Sequence, residues 1–202
     1  MRRAAPLSLL ALAAVLFGGA ASARGEEATA TFAGGCFWCM QPAFDNVAGV
    51  SSTTVGYTGG HTKDPSYDEV GSGTTGHAES IEVVYDPKKV SYSDLLKVFW
   101  RNVDATDAGG QFCDRGDQYR SAIFYHDEEQ KRLAEESKRD AAKALRVPGP
   151  IVTQIVPATQ FYRAEDYHQG YYRKNPIRYR FYRRGCGRDQ RLEEVWGEAP
   201  AH

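Results

Sequence analysis

The chain has 202 residues, 42% of them hydrophobic and 25% charged, with a formal net charge of −1. That length suits one domain, the composition excludes a disordered chain, and the balanced charge gives no reason to expect nucleic acid or an anionic membrane as partner. Twelve tyrosines and nine phenylalanines supply large buried areas and hydrogen-bonding hydroxyls.

The first segment reads as a targeting signal. Arg2-Arg3 precede an almost wholly apolar run over 4–17, and small residues follow, ending in Ala21-Ser22-Ala23. This pattern predicts a signal peptide over 1–23, cleaved on export to a periplasmic or secreted location. The apolar run, about 14 residues, is shorter than a bilayer span, so a stable membrane anchor is not expected. Loss of Arg2 and Arg3 leaves a mildly acidic mature chain over 24–202.

Along that chain, 29–33 predicts a strand that ends at Gly34-Gly35, with a helix running on to about residue 47. Pro42 suits a first turn better than a helix interior, which leaves the helix start open. A strand is expected over 50–57, then a long glycine-, threonine- and proline-rich loop to 76. The clearest strand covers 79–85. Ser91 and Asp94 form a capping signal before an amphipathic helix carrying Leu95, Leu96, Val98, Phe99 and Val103. A loop over 104–116 holds Cys113 and Asp114. A strand over 119–125, a charged helix from 128 to about 145, a strand over 151–156 and a short helix from 164 to about 174 follow. From about 175 the basic and aromatic tail reads as a mobile solvated arm, with no RNA-binding motif. The strand and helix alternation predicts one α+β domain: a two-layer, ferredoxin-like split-βαβ mixed sheet with helices on one face and long loops.

Export gives the cysteines Cys36, Cys39, Cys113 and Cys186 three readings. Two structural disulfides have three possible connectivities, but a chain of about 175 residues holds a core without staples. Zinc has one C-x-x-C and lacks a second to close a tetrahedron, so no metal is expected. Thiol redox chemistry is favoured. Cys36 lies where a strand turns through two glycines into a helix, a junction whose backbone N–H groups favour a thiolate. Phe37 and Trp38 would wall the sulfur with apolar surface. Glu79 shares a strand face with Ile81, Val83 and Tyr85. If that is the core face, its carboxyl is buried and able to donate a proton near neutral pH; the opposite register leaves it solvated.

Six motifs in one order extend these readings: Gly34-Gly-Cys-Phe-Trp38, Gly56-Tyr-Thr-Gly-Gly60, Thr75-Gly-His-Ala-Glu79, Asp86-Pro87, Phe99-Trp100 and Gln118-Tyr-Arg-Ser121. From about residue 29 to 197 the chain resembles the A-type peptide methionine sulfoxide reductases, in a form with Gly-Cys-Phe-Trp-Cys at its first motif. The resemblance implies reduction of the S epimer of methionine sulfoxide, protein-bound, in peptides or free. Cys36 would be the nucleophile and Glu79 the acid that protonates the oxygen. Tyr67 and Tyr119 would hold that oxygen, Phe37 and Trp38 would form the methyl pocket, and Asp114 would lie near the thiol. Cys36 would pass through a sulfenic acid to a disulfide with Cys186, and a thioredoxin-like or other dithiol donor would recycle it, with no bound cofactor. The enzyme is expected to act as a monomer.

The sequence departs from the family pattern at several positions. Cys39 stands where many relatives have glycine, Gln41 where a carboxylate is common, and Val103 where a histidine is usual. One cysteine near the C-terminus replaces a frequent pair. Cys39 and Cys113 are therefore possible auxiliary thiols, and a Cys36–Cys39 disulfide is open. His168, in Glu165-Asp-Tyr-His168, resembles a further family motif, with a structural histidine as the plainer reading. A general dithiol-disulfide oxidoreductase using Cys36 and Cys39 is the alternative function.

Overall fold

In the computed structural model, which describes Met1 and residues 27–197, strand β1 (Ala28–Gly34) runs antiparallel to β3 (Ala78–Tyr85), and β3 antiparallel to β2 (Val50–Thr58). Helix α1 (Phe37–Asp45) joins β1 to β2, two parallel strands with β3 inserted between them. Helix α3 (Tyr92–Arg101) lies between β3 and β6 (Ser121–Tyr125) in sequence, and here β1 is the inserted strand. Two interlocked split-βαβ units result, in the expected ferredoxin-like order. Helix α4 (Glu128–Ala144) leads to β7 (Gln154–Pro157), parallel to β6, and β8 (Tyr162–Arg163) pairs with β2. The six-stranded order is β7-β6-β1-β3-β2-β8. The export signal read at 1–23 falls, Met1 apart, outside the described residues.

One sheet face carries the core. Ala30, Phe32, Val55, Tyr57, Ile81, Val83 and Ile123 pack there against Phe37 and Phe44 of α1 and Leu95, Leu96 and Phe99 of α3. The opposite face has a smaller cluster, Ala33, Ala78, Ala122 and Phe124, against Val156 and Ala158. The register pairs Glu79 with Tyr57 and places it on the core face. Ser91 and Asp94 form the expected capping box of α3.

Four local expectations are corrected. Pro42 lies inside α1, not in its first turn: the nine-residue helix begins directly after Cys36, and burial of Phe37 and of residues 39–44 outweighs the missing proline donor. The loop at 56–76 contains a short helix α2 (Tyr67–Gly71), and the loop at 104–116 contains a hairpin of β4 (Gly110–Gln111) and β5 (Asp114–Arg115). The tail expected to be mobile from about 175 is instead two packed helices. After the short α5 (Tyr171–Lys174), α6 (Pro176–Gly185) and α7 (Arg188–Trp196) bury Tyr179, Arg183, Arg188, Leu192, Val195 and Trp196. Trp196 Nε1 donates to the Val103 carbonyl at 2.9 Å, which fixes the end of α7 on the body. Val103 and Gln41 are buried, so both departures from the family pattern fill packed positions. Among the described residues no helix is long and apolar enough to cross a membrane.

Candidate active site

β1 delivers the chain through Gly34-Gly35 to Cys36, the residue that caps α1. Gly35 has φ +75°, and a Cβ there would stand 2.5 Å from Gln111 Cβ, so the turn requires glycine. The Phe37 N–H that opens α1 donates to Glu79 Oε2 at 3.0 Å. Cys36 and Cys39 are both free and buried, in one cluster with Tyr171 and Tyr179. Burial, followed by neighbouring Cys39 and the charges of Glu79 and Asp114, pushes the Cys36 thiol well above its ordinary range. The thiolate expected on Cys36 is thereby corrected: the helix end is engaged by a carboxyl, and desolvation decides. Cys39 is pulled down to about 7 by neighbouring Cys36, against its own burial, with help from the Arg188 and Arg183 charges.

Glu79 is 3% exposed. Burial pushes its carboxyl up to about 8, the Phe37 N–H opposes the rise, and the charges of Asp114 and Cys39 add to it. At neutral pH Glu79 is therefore mostly protonated and able to donate. Tyr67 and Tyr119 are half-buried, and burial followed by the Glu79 charge raises both phenols. Each also senses Cys36 and Asp114, so the structure gathers these residues around one center. Tyr67 opens α2 behind a Ser66–Glu69 capping box, and its N–H donates to Glu165 Oε1 at 2.9 Å. Tyr119 closes a 3₁₀ turn at Asp117–Tyr119, which Gln118 ties to the Gly71 carbonyl at 3.1 Å.

Aromatic walls flank the thiols. Trp38 stacks on Tyr171 at 3.8 Å between centroids and donates Nε1–H to His168 Nδ1 at 2.9 Å. His168 is fully buried and lowered to about 4 by that burial, so it is a neutral acceptor. Its ring lies 5.0 Å from Phe37 and 4.4 Å from Tyr67. The plainer reading of His168 as a hydrogen-bonded support therefore describes its contacts, and what it supports is the indole.

The cysteine pairing differs from expectation. Cys186 is bonded to exposed Cys113, with Cα atoms 4.9 Å apart, while Cys36 and Cys39 are free. Cys186 is thus not the partner of Cys36 in this state: it caps the C-terminus of an ordered α6, where a loose tail free to reach Cys36 had been expected. Ligand atoms of Cys113, Asp114 and Cys186 lie within 4.8 Å of one another, and the disulfide occupies both sulfurs. Asp114 accepts the Tyr182 hydroxyl at 2.6 Å, and burial followed by the Cys36 charge raises the Tyr182 phenol. Tyr182, Arg183 and Arg188 were missed in the sequence. Their one signal is helical spacing, Tyr179 with Arg183 and Tyr182 with Cys186, hidden in an arginine-rich stretch.

A family model described as peptide methionine sulfoxide reductase matches residues 28–200. A peptide methionine sulfoxide reductase MsrA of Bacillus subtilis (strain 168) is 53% identical over 172 residues, 85% of this chain and 97% of its own length. MsrA 2 of Caulobacter vibrioides is 50% identical over 197 residues, 98% of this chain and 100% of its own length. Among solved structures, the reduced form of Mxr1 from Saccharomyces cerevisiae superposes with a TM-score of 0.70 at 33% identity, covering 75% of this chain and 87% of that one. Methionine sulfoxide reductase A of Corynebacterium diphtheriae gives 0.66 at 36% identity, covering 75% and 76%.

Proposed function

The chain belongs to the peptide methionine sulfoxide reductase family, and from that premise we propose that Cys36 attacks the sulfur of methionine sulfoxide while Glu79 protonates its oxygen. The enzyme is a thiol-dependent reductase that returns methionine sulfoxide to methionine. The observation that carries the residue roles is the Glu79 carboxyl, buried and bound to the first N–H of the helix that Cys36 caps, where burial pushes it up to about 8. Sulfoxide oxygen is a poor leaving group until it is protonated, so a neutral acid is what the step requires. The hydroxyls of Tyr67 and Tyr119 hold the oxygen as charge develops on it. Phe37 and Trp38 receive the methyl group, and the fixed arrangement of methyl site and oxygen site selects the S epimer, protein-bound or free.

Methionine departs and the oxygen stays on Cys36 as a sulfenic acid. Cys39 closes the first disulfide with Cys36 and releases water, because it is the other free cysteine and packs in the same buried cluster, whereas Cys186 is already bonded to Cys113. A thioredoxin-like dithiol then restores the pair by exchange, and exposed Cys113 of the second disulfide offers that donor a sulfur at the surface. The enzyme is exported, on the support of the pattern at 1–23; amino-terminal sequencing of the secreted or periplasmic protein should start near Arg24, and a start at Met1 argues against export.

A general dithiol-disulfide oxidoreductase is not favored, since disulfide exchange needs neither Glu79 nor the pair of tyrosines. Parallel assays of insulin reduction and methyl sulfoxide reduction by wild type and Cys36→Ser test the choice. Sulfoxide turnover that is lost in Cys36→Ser is expected; sulfoxide turnover retained by that variant removes the proposal.

A further inference from the structure

Glu165 stands just past β8, where the chain leaves the edge of the sheet. Gln169 pins this turn to β2: its side-chain amide accepts the Val55 N–H at 3.0 Å and donates to the Val55 and Ala164 carbonyls at 2.8 and 2.9 Å. The Ala164 N–H adds a bond to the Val55 carbonyl at 3.0 Å. The backbone that carries Glu165 is therefore fixed, and both carboxylate oxygens are engaged. Oε1 accepts the Tyr67 N–H at 2.9 Å, and Oε2 accepts the Tyr57 hydroxyl at 2.8 Å. His168 Nε2 lies 3.8 Å from Oε2, beyond hydrogen-bond reach.

The two partners of Glu165 come from separate parts of the site. Tyr57 is buried, and β2 pairs it directly with Glu79 of β3. Residues paired across a ladder share a sheet face, so the Tyr57 and Glu79 side chains rise from the core face side by side. Tyr67, by contrast, opens the five-residue α2, and a helix of that length holds its place through outside contacts. Bonds to a carboxylate are the stronger kind of hydrogen bond, and Glu165 makes one to each part. The chain of contacts runs from Glu79 across the ladder to Tyr57, through Glu165, to the start of the helix that presents Tyr67. The Glu165 side chain is 37% exposed, so its truncation leaves the core packed.

We propose that Glu165 is a positioning residue for sulfoxide reduction: it sets the Tyr67 hydroxyl relative to the Glu79 acid, so that both meet the sulfoxide oxygen together. This rests on the reading of Tyr67 as a holder of that oxygen. Glu165 exchanges no proton with the substrate and acts through Tyr67. A hydroxyl stabilises developing charge only if it is in place before the charge forms. A shift of about 1 Å caused by a change away from the chemistry can cost up to about a hundredfold in rate, and loss of one support among several should cost less.

The test is a double-mutant cycle of Glu165→Ala with Tyr67→Phe, read as the single-turnover rate constant for methionine release from a methyl sulfoxide at saturation. Glu165→Ala should lower that constant about tenfold and leave the half-saturating concentration within about twofold of wild type. Glu165→Gln, whose amide oxygen still accepts the Tyr67 N–H, should restore most of the rate. In Tyr67→Phe no hydroxyl is left to place, so adding Glu165→Ala should cost less than about twofold more. An unchanged rate in Glu165→Ala overturns the proposal. So does a full loss repeated on the Tyr67→Phe background, which would make Glu165 a support of the fold at large. If Glu165→Ala does not fold, Tyr57→Phe, which removes only the hydroxyl that anchors Oε2, takes its place in the cycle. It should lose about threefold alone and nothing further on Tyr67→Phe, and a rate equal to wild type overturns the proposal. A normal rate in Tyr67→Phe by itself would instead remove the reading of Tyr67, and the proposal with it.

Discussion

Phe37 donates its backbone N–H to Glu79 Oε2 at 3.0 Å, across 42 residues of sequence. The bond fixes one carboxyl oxygen at the start of the helix that Cys36 caps and leaves the other to carry the acid proton. The first helix donor thus locates an acid instead of stabilising a thiolate. Glu79→Gln keeps an oxygen for the Phe37 bond and removes the proton. Methionine release in a single turnover should fall by about 10²–10⁴-fold while the fold is retained, the range expected for loss of general acid catalysis.

The same carboxyl sets a pH dependence of stability. The folded state raises Glu79 from 4.5 to about 8, so between these values the native protein holds a proton that the unfolded chain lacks. Native stability from this group is full below about 4.5 and is lost as pH rises toward 8. Glu79→Gln, which has no proton to lose, should melt above wild type at alkaline pH, with the difference shrinking toward pH 5. Thermal unfolding monitored by circular dichroism across that range checks the sign.

Removal of one hydroxyl that meets the developing oxygen charge should cost about 2–4 kcal/mol in the transition state. Tyr67→Phe and Tyr119→Phe are each expected to lower kcat/KM for a methyl sulfoxide, with kcat carrying most of the loss. A change in KM alone would assign these rings to ground-state packing instead.

Cys39→Ser should release one methionine per chain and then stop, leaving a Cys36 sulfenic acid that dimedone traps. Cys186→Ser should continue to form the Cys36–Cys39 disulfide, identified by peptide mass spectrometry. The reverse outcome, recycling in Cys39→Ser and arrest in Cys186→Ser, would give the resolving role to Cys186.

Trp38→Phe keeps an aromatic wall and loses the 2.9 Å bond to His168. A modest rise in KM, about threefold to tenfold, is expected from a looser methyl site, which corresponds to about 0.6–1.4 kcal/mol, the net worth of one hydrogen bond. A purely structural role for the indole would lower the melting temperature and leave KM unchanged.

The sequence made the strand alternation around Glu79 and the capping box at Ser91 readable, because both depend on neighbors within a few residues. Cys36, Tyr67, Tyr119 and Asp114 were found through motifs. The α6–α7 packing was not, since Arg183 and Arg188 are charged residues whose burial comes from groups far along the chain: Cys39, Gly34 and Asn102. Pairing of Cys113 with Cys186 was hidden for the same reason, across a separation of 73 residues. The Cys36 thiolate was misjudged because a helix end in sequence does not reveal that a carboxyl takes its first N–H.

Single-turnover methionine release measured against pH is the most direct test of acid catalysis by Glu79. The rate constant should fall as pH rises through about 8, where wild type loses its carboxyl proton, and Glu79→Gln should be slow without that fall. A wild-type rate that holds steady or climbs well above that pH would contradict proton delivery by Glu79.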